Sequence, residues 1–189
     1  MSKPLVVIIS GHPCTGKTTL GRMLARDLPL PLIAKDDIKE TLFDKLGVGD
    51  RAWSQKLGRA TYQLLYLGLL TQLRACRSAI VESNFSPAIA GAELHSLAAE
   101  HPFEPFQIIC RTEREVLFER YRHRSVSGER HPGHLDQLLY RELVERYAEE
   151  HYGPLTIGGA VARVDTTDWT CVDYQALLSE IRAKLQGRF

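Results

Sequence analysis

The 189-residue chain reads as an α/β protein with a parallel sheet, on two observations. Short apolar runs rich in β-branched residues alternate along the whole length with amphipathic stretches of helical period. A glycine-bearing turn, Gly11 to Thr18, also joins the first such run to the first helical stretch. Apolar residues make up 44% and charged residues 25%, which suits one soluble domain with a packed core.

Leu5 to Ser10 is almost continuously apolar, as expected of a central strand covered on both faces. Lys17 to Asp27 follows as a helix, ended by Pro29 and Pro31. Leu32 to Ala34 is a short strand that leads into a helix from Asp36 to about Leu46, after which Gly47 and Gly49 break the chain. A long helix runs from about Ala52 to Arg74. Ala79 to Glu82 is a strand ending in an acid, and a helix opens near Pro87, a tolerated first-turn position, to stop before Pro102. Phe106 to Cys110 is the next strand. The helix after it, Thr112 to about Arg124, carries a capping-box pattern in Thr112 and Glu115. Turn residues from Gly128 to Gly133 precede a helix from Leu135 to about Glu150. A last strand at Val161 to Asp165 and a helix from Val172 to Gln186 bring the count to five strands with helices between them.

Bulk properties exclude several classes of function. Lys and Arg number 24 against 23 Asp and Glu, so no global positive field exists to hold a long polyanion, and any anion site is local. Four scattered cysteines with no C-x-x-C pair suit free thiols in a reducing compartment. The apolar run at Leu5 to Ile9 is too short for a secretory leader. Tyr62 to Leu70, the longest greasy stretch, falls well below the roughly 20 residues that span a bilayer. A cytoplasmic protein without membrane contact is expected.

The turn spells Gly11-His12-Pro13-Cys14-Thr15-Gly16-Lys17-Thr18, a complete G-x-x-x-x-G-K-[ST] pattern set between strand and helix. Gly11 and Gly16 permit backbone conformations that a Cβ obstructs, so that successive N–H groups converge on phosphate oxygens. The helix adds its positive N-terminal end. Lys17 supplies a compact charge to the β- and γ-phosphates of ATP, Thr18 offers a hydroxyl ligand to Mg²⁺, and Thr19 is a neighbouring hydroxyl without an assigned task. A turn that merely joined strand to helix would need neither Lys nor Thr in those slots.

Three further segments, with this cradle, resemble the P-loop phosphotransferases that include polynucleotide kinase, chloramphenicol phosphotransferase and zeta toxins. The resemblance covers Leu5 to about Asp168, and it implies a three-layer αβα sandwich whose five parallel strands take the order 2-3-1-4-5, with an Arg-rich helical lid at about 120–134. In Lys35-Asp36-Asp37-Ile38-Lys39, Asp36 falls at the position of the acid that activates the acceptor hydroxyl; either aspartate also suits a helix cap. Lys39 stands where polynucleotide kinases carry an Arg that contacts the substrate's own phosphate. Glu82, in Val81-Glu82-Ser83-Asn84-Phe85, is implied to hold Mg²⁺ directly or through water, or to position the acceptor.

Arg120 and Arg124 lie one helical turn apart on one face. The resemblance implies that Arg120 packs on adenine and Arg124 reaches the transferring phosphate. Arg111 to His134 holds six arginines against four glutamates, an excess suited to one ATP. His131 and His134 have H-x-x-H spacing, but no third ligand stands near enough to complete a zinc site, and a lid or acceptor-site role suits them better. Asp165-Thr166-Thr167 is similar to the loop that flanks the adenine. Trp53, Tyr62 and Tyr66 are candidates for the acceptor wall.

A GTPase switch would need an N-K-x-D motif, which is missing, and a motor would need an additional helical subdomain. The reading that emerges is an ATP- and Mg²⁺-dependent kinase acting on a hydroxyl of a small molecule. A polynucleotide 5′-hydroxyl kinase and a non-catalytic ATP-binding module are the alternatives; neutral charge and Lys39 in place of Arg count against the former.

Overall fold

The computed structural model describes residues 2–128, 130–147 and 152–186. Five strands, β1 (Leu5–Gly11), β2 (Leu32–Ala34), β3 (Ala79–Glu82), β4 (Glu104–Arg111) and β5 (Ala160–Asp165), form one parallel sheet of order β2-β3-β1-β4-β5. This is the P-loop αβα arrangement and order that the family resemblance implied.

Continuous apolarity puts β1 at the centre, where all seven of its residues are buried. Successive side chains point to opposite faces. Leu5, Val7 and Ile9 therefore join one core beneath α1 (Lys17–Asp27) and α7 (Tyr174–Leu185). Val6 and Ile8 join the other, beneath α3 (Arg51–Arg74) and α4 (Pro87–Glu100). Register pairs Ile9 with Glu82, which sets the acid at the carboxyl end of β3 beside the turn that follows β1. Ligands of open parallel sheets gather at that end.

The remaining helices are α2 (Lys35–Leu46), α5 (Arg114–Val126) and α6 (Asp136–Arg146), with short 3₁₀ turns at Pro132–His134 and Trp169–Cys171. Several boundaries differ by a residue or two from the sequence-based expectation, and for three of them the physical reason is plain. β4 starts two residues early, at Glu104, because parallel pairing with Leu5 and Val6 carries through Pro105. Thr112 does not cap α5. Its hydroxyl lies 2.7 Å from that of Thr166, and Glu113 takes the cap position without a side-chain bond. α3 begins at Arg51, capped by Asp50, whose carboxylate accepts from the Trp53 N–H. The helix expected from Leu135 to about Glu150 is described to Arg146, and residues 148–150 lie outside the described residues. No described helix is long and apolar enough to cross a membrane.

Candidate active site

The turn after β1 closes on one carbonyl. The His12 oxygen accepts the Thr15 hydroxyl at 2.8 Å and the Lys17 ammonium at 2.8 Å. Three positive φ angles make the tight path possible, at Gly11 (145°), Cys14 (63°) and Gly16 (73°). Gly16 is required twice over, since its φ disfavours a side chain and a Cβ would enter the Trp169 ring. Lys17 is buried, and burial pushes its ammonium below the ordinary lysine range against the opposing charge of Glu82.

Beside it, the Thr18 hydroxyl donates to Glu82 Oε2 at 3.0 Å. Burial pushes the Glu82 carboxyl upward, with Lys17 pulling the other way. A hydroxyl and a carboxylate placed together are hard oxygen donors, the set that Mg²⁺ takes. The pair fits that ion.

One cavity of about 630 Å³ opens over this cradle. Pro13, Cys14, Gly16, Lys17, Thr18 and Thr19 form its floor, while Gly11 and Thr15 are buried below. The His12 ring turns aside to lie 4.6 Å from Tyr147 and 4.5 Å from Tyr152, while its carbonyl serves the loop.

Across the cavity stands Asp36, on the first turn of α2. The helix has no side-chain cap at that end, and Asp37 points elsewhere to pair with Arg22 at 3.0 Å. Asp36 alone of the two lines the cavity. Burial raises its carboxyl, but Lys35 and Arg130 outweigh burial and hold it well below the usual carboxylate range. It is a carboxylate at neutral pH. Lys39, in the same wall, donates to the Ser54 hydroxyl at 3.0 Å. Burial, assisted by Lys35, pulls its ammonium down to about 8.

The lid arginines divide their tasks differently from expectation. Arg120 lines the cavity, but its guanidinium donates to the Thr166 and Thr167 carbonyls at 2.7 and 3.1 Å, so it is held by the loop after β5. Arg124 also lines the cavity and pairs with Asp136 at 2.9 Å. Asp165 and Thr166, expected to flank the adenine, do not reach the cavity. Asp165 is exposed and accepts from the Thr167 N–H, whereas Thr166 is fully buried, its hydroxyl 3.0 Å from the Thr15 carbonyl. Trp169 takes the wall position instead.

The aromatic residues of α3 are displaced from the role suggested for them as well. The wall uses Arg51, Ser54, Gln55 and Gly58. Trp53 donates its indole N–H to the Gly47 carbonyl. Tyr62 stands one layer back, its hydroxyl accepting from Ser83 at 3.0 Å, and Tyr66 lies with it in a separate hollow of about 380 Å³. Among the described residues no group of three or more His, Cys, Asp and Glu has the arrangement of a metal site.

Sequence reasoning did not assign Arg130. Its guanidinium bonds Asp36 Oδ2 at 2.7 Å and Glu40 at 3.3 Å. The usable signal was charge complementarity: Asp36, Glu40 and Asp44 recur every four residues on α2, opposite a segment reading Arg-His-Pro-Gly-His. Trp169 carried no such signal.

Strand order and cradle together define a P-loop nucleotide-binding domain of the small-kinase type. The AAA domain family matches residues 6–147, and the chain belongs to it. Among solved structures, one described as a "putative kinase" from Chloroflexus aurantiacus j-10-fl is 38% identical over 100% of both chains, with a TM-score of 0.87. The APS kinase CysC of Mycobacterium tuberculosis, in complex with AMPPNP and APS, is 15% identical over 98% of this chain and 99% of that one, with a TM-score of 0.58. Kti12 of Chaetomium thermophilum, in complex with ADP-AlF3, is 18% identical over 96% and 100%, with a TM-score of 0.65. The last two likenesses concern the fold. A search of curated proteins returned no match.

Proposed function

We propose that this protein moves the γ-phosphate of ATP onto a hydroxyl of a small acceptor. The observation that carries the reading is the pairing, within one cavity of about 630 Å³, of a phosphate cradle with an ionised carboxylate facing it. Lys17 exchanges its bond to the His12 carbonyl for phosphate oxygens when nucleotide enters. Thr18 and Glu82 would hold Mg²⁺, which would offset the negative charge of the β- and γ-phosphates. Asp36 accepts the proton of the acceptor hydroxyl as its oxygen attacks phosphorus. Arg120 and Trp169 border the nucleotide, and Arg124 supplies positive charge from the lid.

The acceptor end has a readable polarity. Lys39 is a buried ammonium with no carboxylate at ion-pair distance among the described residues, which supports an acceptor carrying an anionic group near its hydroxyl. The Arg51–Glu142 bond, 2.6 Å, ties α3 to α6 at the cavity wall and favours a compact acceptor over a polynucleotide chain.

The experiment is a panel of hydroxylated metabolites, nucleosides, antibiotics and 5′-hydroxyl oligonucleotides assayed for Mg-ATP-dependent phosphorylation. Lys17→Ala is the blank, and Asp36→Asn is run beside it. Transfer that survives Lys17→Ala removes the kinase reading, and transfer at wild-type rate in Asp36→Asn removes the base. A reaction confined to oligonucleotides would move the acceptor class to nucleic-acid ends.

A further inference from the structure

The segment Arg130-His131-Pro132-Gly133-His134 has a use that the phosphate chemistry leaves unassigned. On α2, Asp36, Glu40 and Asp44 lie on one face, and each meets this segment. Arg130 bonds Asp36 at 2.7 Å and Glu40 at 3.3 Å, His134 Nε2 lies 2.9 Å from Glu40, and His131 Nε2 lies 3.2 Å from Asp44.

Packing makes that docking specific. Pro132 opens a 3₁₀ turn, and the Gly133 N–H donates to His131 Nδ1 at 3.1 Å, which leaves His131 Nε2 to face Asp44 of α2. His131 stacks on Phe43 with centroids 5.2 Å apart and planes at 8°, and His134 meets the same ring edge-on. Gly133 presses so closely on Phe43 that a Cβ there would lie 2.5 Å from the ring. Its carbonyl also accepts from Ser54 at 3.1 Å. Phe43 is 2% exposed, so the segment has one seat.

His134 is a neutral bridge. Burial, then Arg130, pushes it down to about 2, so its Nδ1 accepts from Arg130 at 3.1 Å while Nε2–H donates to Glu40. Arg130 is thereby gripped on several sides. Asp36 Oδ2 is taken by Arg130, while Oδ1 lies 3.5 Å from Lys35.

We propose that Arg130 is the positioning residue of Asp36: seating of the segment on α2 aims the carboxylate by fixing Oδ2, and leaves Oδ1 for the acceptor hydroxyl. This rests on the reading of Asp36 as the base, and it makes lid docking and base assembly a single event. The groups around Asp36 are Lys35, Lys39 and Glu40 on its own helix, Arg130, His134 and Asp136 from the lid side, and Lys17 and Glu82 from the cradle. Of these, Arg130 makes the 2.7 Å bond.

The test reads Asp36 directly, by NMR titration of its ¹³Cγ in ¹³C-aspartate protein, assigned with Asp36→Asn. In the wild type the resonance stays that of a carboxylate through the acid range in which the fold persists. Arg130→Gln is expected to raise the midpoint into that range, where it becomes observable, Arg130→Lys to restore part of the wild-type behaviour, and Gly133→Ala to reproduce the rise by unseating the segment while Arg130 is retained.

Slow Mg-ATP hydrolysis, with water as acceptor, separates the two claims. Wild-type hydrolysis in Asp36→Asn overturns the base and this proposal with it. Impaired hydrolysis in Asp36→Asn, with an unmoved Asp36 midpoint in Arg130→Gln or in folded Arg130→Lys, overturns the positioning role alone.

Discussion

Replacing Thr166 by Val tests how the cradle is anchored. Thr166 is fully buried, and its Oγ1 lies 2.7 Å from Thr112 Oγ1, 3.0 Å from the Thr15 carbonyl and 3.0 Å from the Arg111 carbonyl. A hydroxyl has one proton to donate and two lone pairs, so it ties the cradle to the ends of β4 and β5 through a shared set of bonds. Valine keeps the volume and removes both functions. Thr112 and Thr15 are then left short of a partner where water does not reach, at a cost of about 1–3 kcal/mol. In a chain of this size that corresponds to a fall in Tm of about 2–12 °C. Thr166→Ser keeps the oxygen and removes a methyl, so it should cost about 1 kcal/mol. Guanidinium unfolding of both variants, with and without Mg-ATP, is the assay. Val should be the worse variant, and its affinity for Mg-ATP should fall because the Thr15 carbonyl no longer holds the loop. If Ser destabilises as much as Val, or if Val lies within about 0.3 kcal/mol of wild type, the hydroxyl is not the anchor and the reasoning fails.

Gly16→Ala should weaken Mg-ATP binding at least about tenfold, since it forces an L side chain to a φ of 73° and drives its Cβ into Trp169. In a Trp53→Phe background the indole fluorescence of Trp169 reports the displacement, and an unchanged spectrum and affinity would refute it. Lys39→Met should stabilise the protein at pH 7 by removing a buried ammonium. Lys39 is held at about 8 when folded, below its unfolded value, so the unfolded chain binds the extra proton between about pH 8 and 10.5. Wild-type stability therefore gains on the variant as pH rises through that window, and urea unfolding at pH 7 and pH 10 should show the variant's advantage shrinking. Glu82→Gln should raise the Mg²⁺ concentration needed for half-maximal activity about tenfold or more while metal-free ATP binding persists; an unaltered Mg²⁺ titration would release Glu82 from the metal role.

Local interactions made most of the fold legible. Strand β1 announces its central place by unbroken apolarity, β3 begins and ends where its apolar run does, and the cradle is a contiguous motif whose geometry depends on neighbours in sequence. Thr18 was legible from the cradle motif, and Glu82, which closes β3, from the family resemblance; the two meet at 3.0 Å. Element ends were less so: Thr112 has the sequence of a cap, yet a buried hydroxyl 54 residues away competes for it and prevails.

The amino-acid sequence by itself determined the α/β class and the phosphate cradle, since these depend on local spacing and periodicity. Tertiary structure alone decided which of Asp36 and Asp37 faces the cavity, that Thr166 braces the loop rather than touching ligand, that Trp169 lies on Gly16, and that Arg130 reaches Asp36 across 94 residues. Those outcomes depend on where packed surfaces meet, and a side chain's partner across such a surface is fixed by the seating of whole elements, as Gly133 on Phe43 illustrates.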